Sequence, residues 1–309
     1  MRWFVEIGII FFAALNVVAG GFDSAAWAVL RVEREAEAAR LAKVYEECAG
    51  AKFAPAENIV VPVENFEDGS VKTSVAAEKA RIFVKEGLIW GEGVKVRQMK
   101  EGGKIAAQID AENCVVDRAT RSGWAKGNAK AVYKDEVELS GEGVYFSATN
   151  EVVMITKNVK LKSKGDELQA AKAVYDRVAG VVQFEGGVKV HHVEKGMPCD
   201  LECETAYVFI EGTNDVRKIV ALGGVKVVSG ERSGACAKAI YNKADGAGSL
   251  TMFGKGTNEM ARLEVTGERT GILEGRRIRF WFETEQVEVK DSCITLETKG
   301  LDLPKGVVK

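Results

Sequence analysis

The sequence predicts an all-β protein built from repeated strand pairs, carried behind one apolar helix at its N-terminus. Three observations lead there. Glycine occurs 33 times and proline only 4 times in 309 residues, and many of the glycines sit inside valine-rich runs, which suggests tight turns between strands. Apolar and polar residues alternate with a period of two through segment after segment. A strand-pair motif also recurs along most of the chain, the mark of a repeat architecture.

Composition narrows the class further. An apolar fraction of 46% with 28% charged residues is ordinary for a folded chain. The net charge of −2 and pI near 6.0 lack the electrostatic footprint of a nucleic-acid binder, and no basic stripe with interleaved aromatics is present. Nucleic acid is therefore not an expected partner.

The N-terminal element comes first in the chain. Residues 3–22 read WFVEIGIIFFAALNVVAGGF, 20 residues that as a helix would span about 30 Å, enough for a bilayer core. Two readings stand side by side: an uncleaved single-pass anchor, and a secretory signal peptide with Ala26-Trp27-Ala28 as its cleavage site. Both send the rest of the chain across the inner membrane. Within the span Glu6 and Asn16 are the costly residues. They are candidates for contact with the helices of a membrane partner, Glu6 having headgroups at the cytoplasmic interface as its alternative.

The expected organisation is thus 1–24 as anchor or signal peptide, 25–55 as a helical stalk or linker, 59–298 as the β region, and 299–309 as a tail. The stalk expectation rests on the alanine- and glutamate-rich stretch 25–48, with ion pairs available at Arg31/Glu35 and Glu37/Arg40.

In the β region the second strand of each repeat aligns as LIWGEGVKV (88–96), GWAKGNAKA (123–131), VMITKNVKL (153–161), VQFEGGVKV (182–190) and VALGGVKVV (220–228). Its anchor position falls at Val94, Ala129, Val159, Val188 and Val225, at intervals of 35, 30, 29 and 37 residues. Val94 and Val96 flank Lys95, Val159 and Leu161 flank Lys160, and Val188 and Val190 flank Lys189. Each trio predicts an apolar inner face and a lysine-bearing outer one. Trp90, Ile155 and Phe184 share a position in this alignment, so all three are expected on the inner face. Ala129, Ala131, Ala170 and Ala173 would leave room there, and Cys203 and Cys236 fall where Ala170 does.

No motif carries catalysis. The GEGV and GGV elements precede strands, so they read as turns and not as phosphate loops. The carboxylates alternate with lysines on outward positions, without the apolar setting that acid–base work needs. The chain has only two histidines, His191 and His192, and no G-x-S-x-G turn. Cys199 and Cys203 with one of those histidines make a weak zinc pattern, since neighbouring residues on a strand point to opposite faces. Six cysteines in this length are not a disulfide framework. No enzyme activity, metal or cofactor is expected.

The stretches VENFEDGSVKTSVAAEKARIF (63–83) and GEGVKVRQMKEGGKIAAQIDAENCVVDRATRSGWAKGNAKA (91–131) resemble the lipopolysaccharide export proteins LptC and LptA, the OstA-like β-jellyroll family. The likeness covers about 59–298, and the N-terminal span before a β domain resembles LptC in particular, although the β region is longer than is usual there. The resemblance implies an elongated jellyroll holding acyl chains of lipopolysaccharide in its interior, in the periplasm and without cofactors. Its implied partners are inner-membrane ABC transporter subunits and a related jellyroll. The expected lipid-lining residues are Trp90, Val94, Val96, Ile155, Val159, Phe184, Val188, Val190 and Val225. The competing reading is a fully packed structural scaffold of the envelope. The C-terminal strands, 276–289 and 293–298, carry nothing that blocks pairing, so edge-strand addition to a related protein is expected there.

Overall fold

The computed structural model describes residues 24–292, apart from short stretches at 100–102, 134–136, 148–149, 151, 164–165, 177, 195–196, 212–214, 244–247, 256–258, 267–270, 282–283 and 285. Glu6, Asn16, the apolar stretch 3–22, Cys293, the expected strand 293–298 and the tail 299–309 lie outside these residues. Among the described residues no helix is long and apolar enough to cross a membrane. The chain divides into two compact units, one running to Phe184 with a short piece at 210–215, the other formed by 185–209 and the chain from 216 on.

The first unit is one helix, α1 (Ser24–Ala49), followed by antiparallel strands. These are β1 (Ala56–Asn65), β2 (Val71–Phe83), β3 (Leu88–Met99), β4 (Ile105–Asp117), β5 (Ser122–Tyr133), β6 (Val137–Ser147), β7 (Val152–Ser163), β8 (Asp166–Ala170) and β9 (Lys172–Asp176). Each strand from β1 to β7 pairs with the next in hairpin fashion, and β8 and β9 together pair along β7 as one interrupted strand.

These strands are not straight, and the repeated glycines are the reason. Gly93, Gly127, Gly143 and Asn158 hold φ of +59°, +79°, +64° and +55° in the middle of β3, β5, β6 and β7. Register shifts fall beside these residues in β5, β6 and β7. A positive φ in mid-strand is the signature of a bulge, which bends the strand. The GEGV and GGV elements are therefore kinks within strands, not the inter-strand turns expected from sequence. At Gly93 the positive φ of +59° is what favours glycine; a Cβ would in addition require the Glu78 side chain, whose carboxyl carbon would lie 2.5 Å away, to move aside. Outside the kinks the carboxylates are tied down, Asn158 donating to Glu142 at 2.7 Å and Asn128 to Glu112 at 2.9 Å.

Helix α1, in the stretch expected as a helical stalk or linker, is packed onto the strands, against β3, β4 and β5. Its buried strip is Trp27, Ala38, Leu41, Tyr45 and Cys48, with Arg31 and Arg34 half-buried between them. The spacings alternate between four and three residues, which keeps one helix face toward the sheet. Beneath it lies a row of directly paired residues, Trp90, Val115, Trp124, Tyr145, Met154 and Val174. Trp27 donates its indole N–H to Gln183. At the C-terminus of the helix, where carbonyls are orphaned by geometry, Arg81 of β2 donates to Ala49 O at 2.8 Å and, in the loop that follows, to Phe53 O at 3.0 Å, while its guanidinium lies 4.7 Å from the Trp90 ring centroid.

A partly exposed polar contact ties the middle of the helix to the sheet. Arg40 pairs with Glu37 at 2.8 Å and reaches Asp117 at 3.1 Å. Burial alone would push the Asp117 carboxyl up; the backbone N–H of Thr120, the Arg40 guanidinium and the N–H of Ala119 outweigh it and hold it below its ordinary value. A depressed carboxyl stabilises the fold above its unfolded value near 3.8 and loses that contribution as pH falls through the folded value. Asp117→Asn should therefore lower the unfolding midpoint at pH 7 by an amount that shrinks as the pH falls through the depressed folded value. A midpoint gap that persists unchanged in acid would show that charge at Asp117 contributes nothing.

In the second unit, the strands are the remainder of β10 (Val181–Glu194), β11 (Met197–Glu211), β12 (Asp215–Ser229), β13 (Arg232–Asn242), β14 (Ser249–Phe253), β15 (Ala261–Val265), β16 (Gly271–Trp281) and β17 (Val287–Ser292). β14 and β15 pair along opposite ends of both β13 and β16, again as one interrupted strand. Ala221, Val225, Ala239, Met252, Ala261 and Ile278 are buried there. The single strand expected over 276–289 is instead the hairpin of β16 and β17, with Phe280 opposite Val287. The turn side at 284–286 carries Thr284 and Gln286, both exposed.

Candidate functional site: an apolar double-walled interior

The kinks divide β3, β5, β6 and β7 into two half-strands, and the inner faces on both sides of the kinks line one cavity. The pairing registers resolve the inner face into rows running across the strands. Nearest the kinks on one side are Ala80, Gly91, Cys114, Ala125, Val144 and Ile155. On the other side Val94, Ala111, Ala129 and Gly141 form the matching row, with Val159 and Ala170 paired further along. Farther out the side chains grow. One outer row is Ile89, Val116, Gly123, Phe146, Val153 and Tyr175; the other passes through Ile109, Ala131, Leu139, Leu161 and Leu168.

This gradient follows from shape. Where the walls converge at the kinks, the side chains are Ala, Gly, Cys or Val with Ile155 as the exception; where they diverge, Phe, Tyr, Ile and Leu predominate and reach across the interior. The space left between them is a cavity of about 100 Å³. Its wall is apolar apart from Lys130, which pairs with Glu138 at 2.8 Å. Cys114 in that wall has its thiol pushed up to about 12 by burial alone, so it behaves as a small apolar side chain. Outside, Lys95 and Lys160 are exposed, and cross-strand pairs such as Lys79–Glu92 and Lys162–Glu167 keep that face solvated.

The sequence-predicted lining residues separate into groups. Val94 and Ile155 are in the cavity wall, and Val159 is buried on the same inner face. Phe184 is buried, two positions from Val182, which packs on the cluster containing Val94, Phe146 and Tyr175. Val188 and Val225 are buried within the second unit and Val190 is half-buried there. The backbone of Val96 pairs with Ile109, but its side chain is outside the described ones. Ala129 and Ala131 line the cavity, and Ala170 and Ala173 are buried.

Trp90 is the correction. It lies on the opposite face, beneath helix α1, with its ring 6.4 Å from that of Tyr45. The alignment equated it with Ile155, but the kinks differ in length: inner residues step from Gly91 to Val94 in β3 and from Ile155 to Val159 in β7. The parity of the first half-strand therefore inverts. Gly91, which lines the cavity in its place, was missed for the same reason, while Cys114, Val116 and Phe146 in that wall lie on β4 and β6, outside the aligned second strands.

Among the described residues no cluster of three or more His, Cys, Asp or Glu side chains could hold a metal. His191 instead faces Asp200 at 2.6 Å on an exposed surface. Cys203 is buried and Cys236 half-buried, their thiols pushed up to about 11 mainly by burial.

No family model matches the sequence, and no curated protein matches it. Among solved structures, the chain is similar to LptH of Pseudomonas aeruginosa, described as the LptA-homologous periplasmic component of the lipopolysaccharide transport device, with 16% identity over 37% of this chain and 82% of that one, at a TM-score of 0.31.

Proposed function

We propose that the chain is a non-catalytic periplasmic component of lipopolysaccharide transport, sheltering acyl chains of that lipid or a close relative in the interior of its kinked strands. The observation that carries the reading is the apolar double wall, with small side chains at the kinks and large ones at the lips. Each methylene moved there from water contributes about 0.8 kcal/mol, so several acyl carbons are held without any specific hydrogen bond. The resemblance of 63–131 to the LptC and LptA family points the same way.

The cavity is about 100 Å³, the volume of roughly three water molecules, so a lipid with several chains enters only when the walls part. That movement is compatible with the pairing. The hydrogen-bond ladders run between neighbouring strands, while the two facing walls meet through side chains alone. Parting the lips separates apolar contacts and leaves the ladders intact.

The finer reading extends this. The span at 3–22 serves as a single-pass inner-membrane anchor, Glu6 and Asn16 meet the membrane subunits of an ABC transporter, and a related jellyroll adds to the terminal strands. Val188, Val190 and Val225 do for the second unit what Val94 and Ile155 do for the first. The competing scaffold reading draws on the same small volume. Lipid capture separates the two: Ile155→Glu, which places an unpaired charge in the wall, should reduce recovery of co-purified lipid at least tenfold in folded protein. Lys160→Glu on the outer face should leave it unchanged. Equal recovery from both variants supports the scaffold.

A further inference from the structure

We infer that Phe146 sets how much acyl chain the interior of the first unit admits, its ring filling the space that Gly123 leaves open; this rests on the lipid-binding reading above. Gly123 and Phe146 stand directly opposite each other on β5 and β6, with Val116 and Val153 on either side of the pair in the same inner row. A Cβ on Gly123 would lie 2.1 Å from Phe146 Cζ and 2.7 Å from both Cε atoms. The ring therefore lies over the glycine on the inner face. Phe146 is buried, lines the cavity, and packs in the cluster with Val94, Ala111 and Ala129 from the opposite wall. No polar group holds it in place. A phenyl ring kept only by shape, beside a cavity too small for a chain, is the side chain that yields or obstructs when a chain enters.

Two substitutions then act in opposite directions. Shortening Phe146 opens the row and lets more methylenes in. Adding a methyl at Gly123 pushes the ring the other way, because the Cβ of an inner-face residue points into the interior and carries the ring with it.

The test is a titration of the full chain with a fluorescent polyene fatty acid, comparing wild type, Phe146→Leu, Phe146→Ala, Gly123→Ala and the double variant Gly123→Ala/Phe146→Ala, with circular dichroism to establish folding. Sheltering one more methylene tightens the dissociation constant about fourfold. Both Phe146 variants are expected to bind at least fourfold more tightly, Phe146→Leu standing in if the alanine form does not fold. Gly123→Ala is expected to bind at least fourfold more weakly, and to change nothing once Phe146 is alanine. If wild type binds and the Phe146 variants bind equally or more weakly, the role of Phe146 is overturned and the lipid reading stands. If the probe binds no form of the protein, both are overturned.

Discussion

Replacing Trp90 with alanine is expected to destabilise the first unit by about 3–5 kcal/mol while leaving lipid capture by the folded protein unchanged. Trp90 is 2% exposed and sits where three things meet: the Tyr45 ring of helix α1, Val115 on the neighbouring strand, and the Arg81 guanidinium. Its loss empties a site bounded by helix and sheet, and it removes a cation–π contact from the side chain that also satisfies the helix's last carbonyls. For a unit of this size the midpoint should fall by roughly 10 °C. The interior on the other face of β3 is untouched, because Gly91 and Val94, not Trp90, supply its wall. Thermal unfolding and lipid recovery, measured on one preparation below the new midpoint, check both halves. Loss of lipid from a protein of unchanged stability would return Trp90 to the interior.

That prediction is the reverse of what the sequence suggests, and the difference is instructive. Period-two alternation correctly exposes Lys95 and Lys160 and buries Val94 and Val159, since within a half-strand parity is fixed by geometry. It fails across a kink. A glycine of positive φ looks the same in sequence whether it closes a hairpin or bends one strand, so Gly93 and Gly143 of the GEGV elements read as turns. The step from inner residue to inner residue then depends on bulge length, which differs between β3 and β7. The pairing of Phe146 with Gly123 was equally hidden, because a register is needed to bring them opposite.

Helix α1 was legible as a helix and illegible as a docked one. Its buried strip interleaves Arg31, Arg34, Ala38 and Cys48 with Trp27, Leu41 and Tyr45, so no apolar stripe stands out. Arg31 reaches Glu35 of its own helix at 2.7 Å, and the sheet beneath carries buried polar residues, Asp117, Ser122, Ser147 and Asp176, of which Asp117 meets Arg40 and Ser122 meets Glu37. Asp117 and Asp176 also accept backbone N–H groups of their own hairpin turns, at 3.0 Å from Ala119 and 2.9 Å from Ala179. A sequence pattern cannot separate such turn aspartates from outward solvated ones.

The central claim is that lipid acyl chains occupy the inner face of the kinked strands and not the outer one. Val94 and Lys95 are adjacent in β3 and point to opposite faces, Val94 into the cavity wall and Lys95 to solvent. Placing a photo-crosslinking residue at each position in turn, irradiating cells, and weighing the adducts by mass spectrometry compares the two faces one residue apart. A crosslinked species carrying the mass of an acylated lipid is expected from position 94 and absent from position 95. Lipid adducts from position 95 alone, or from neither position in a folded protein, would contradict the claim.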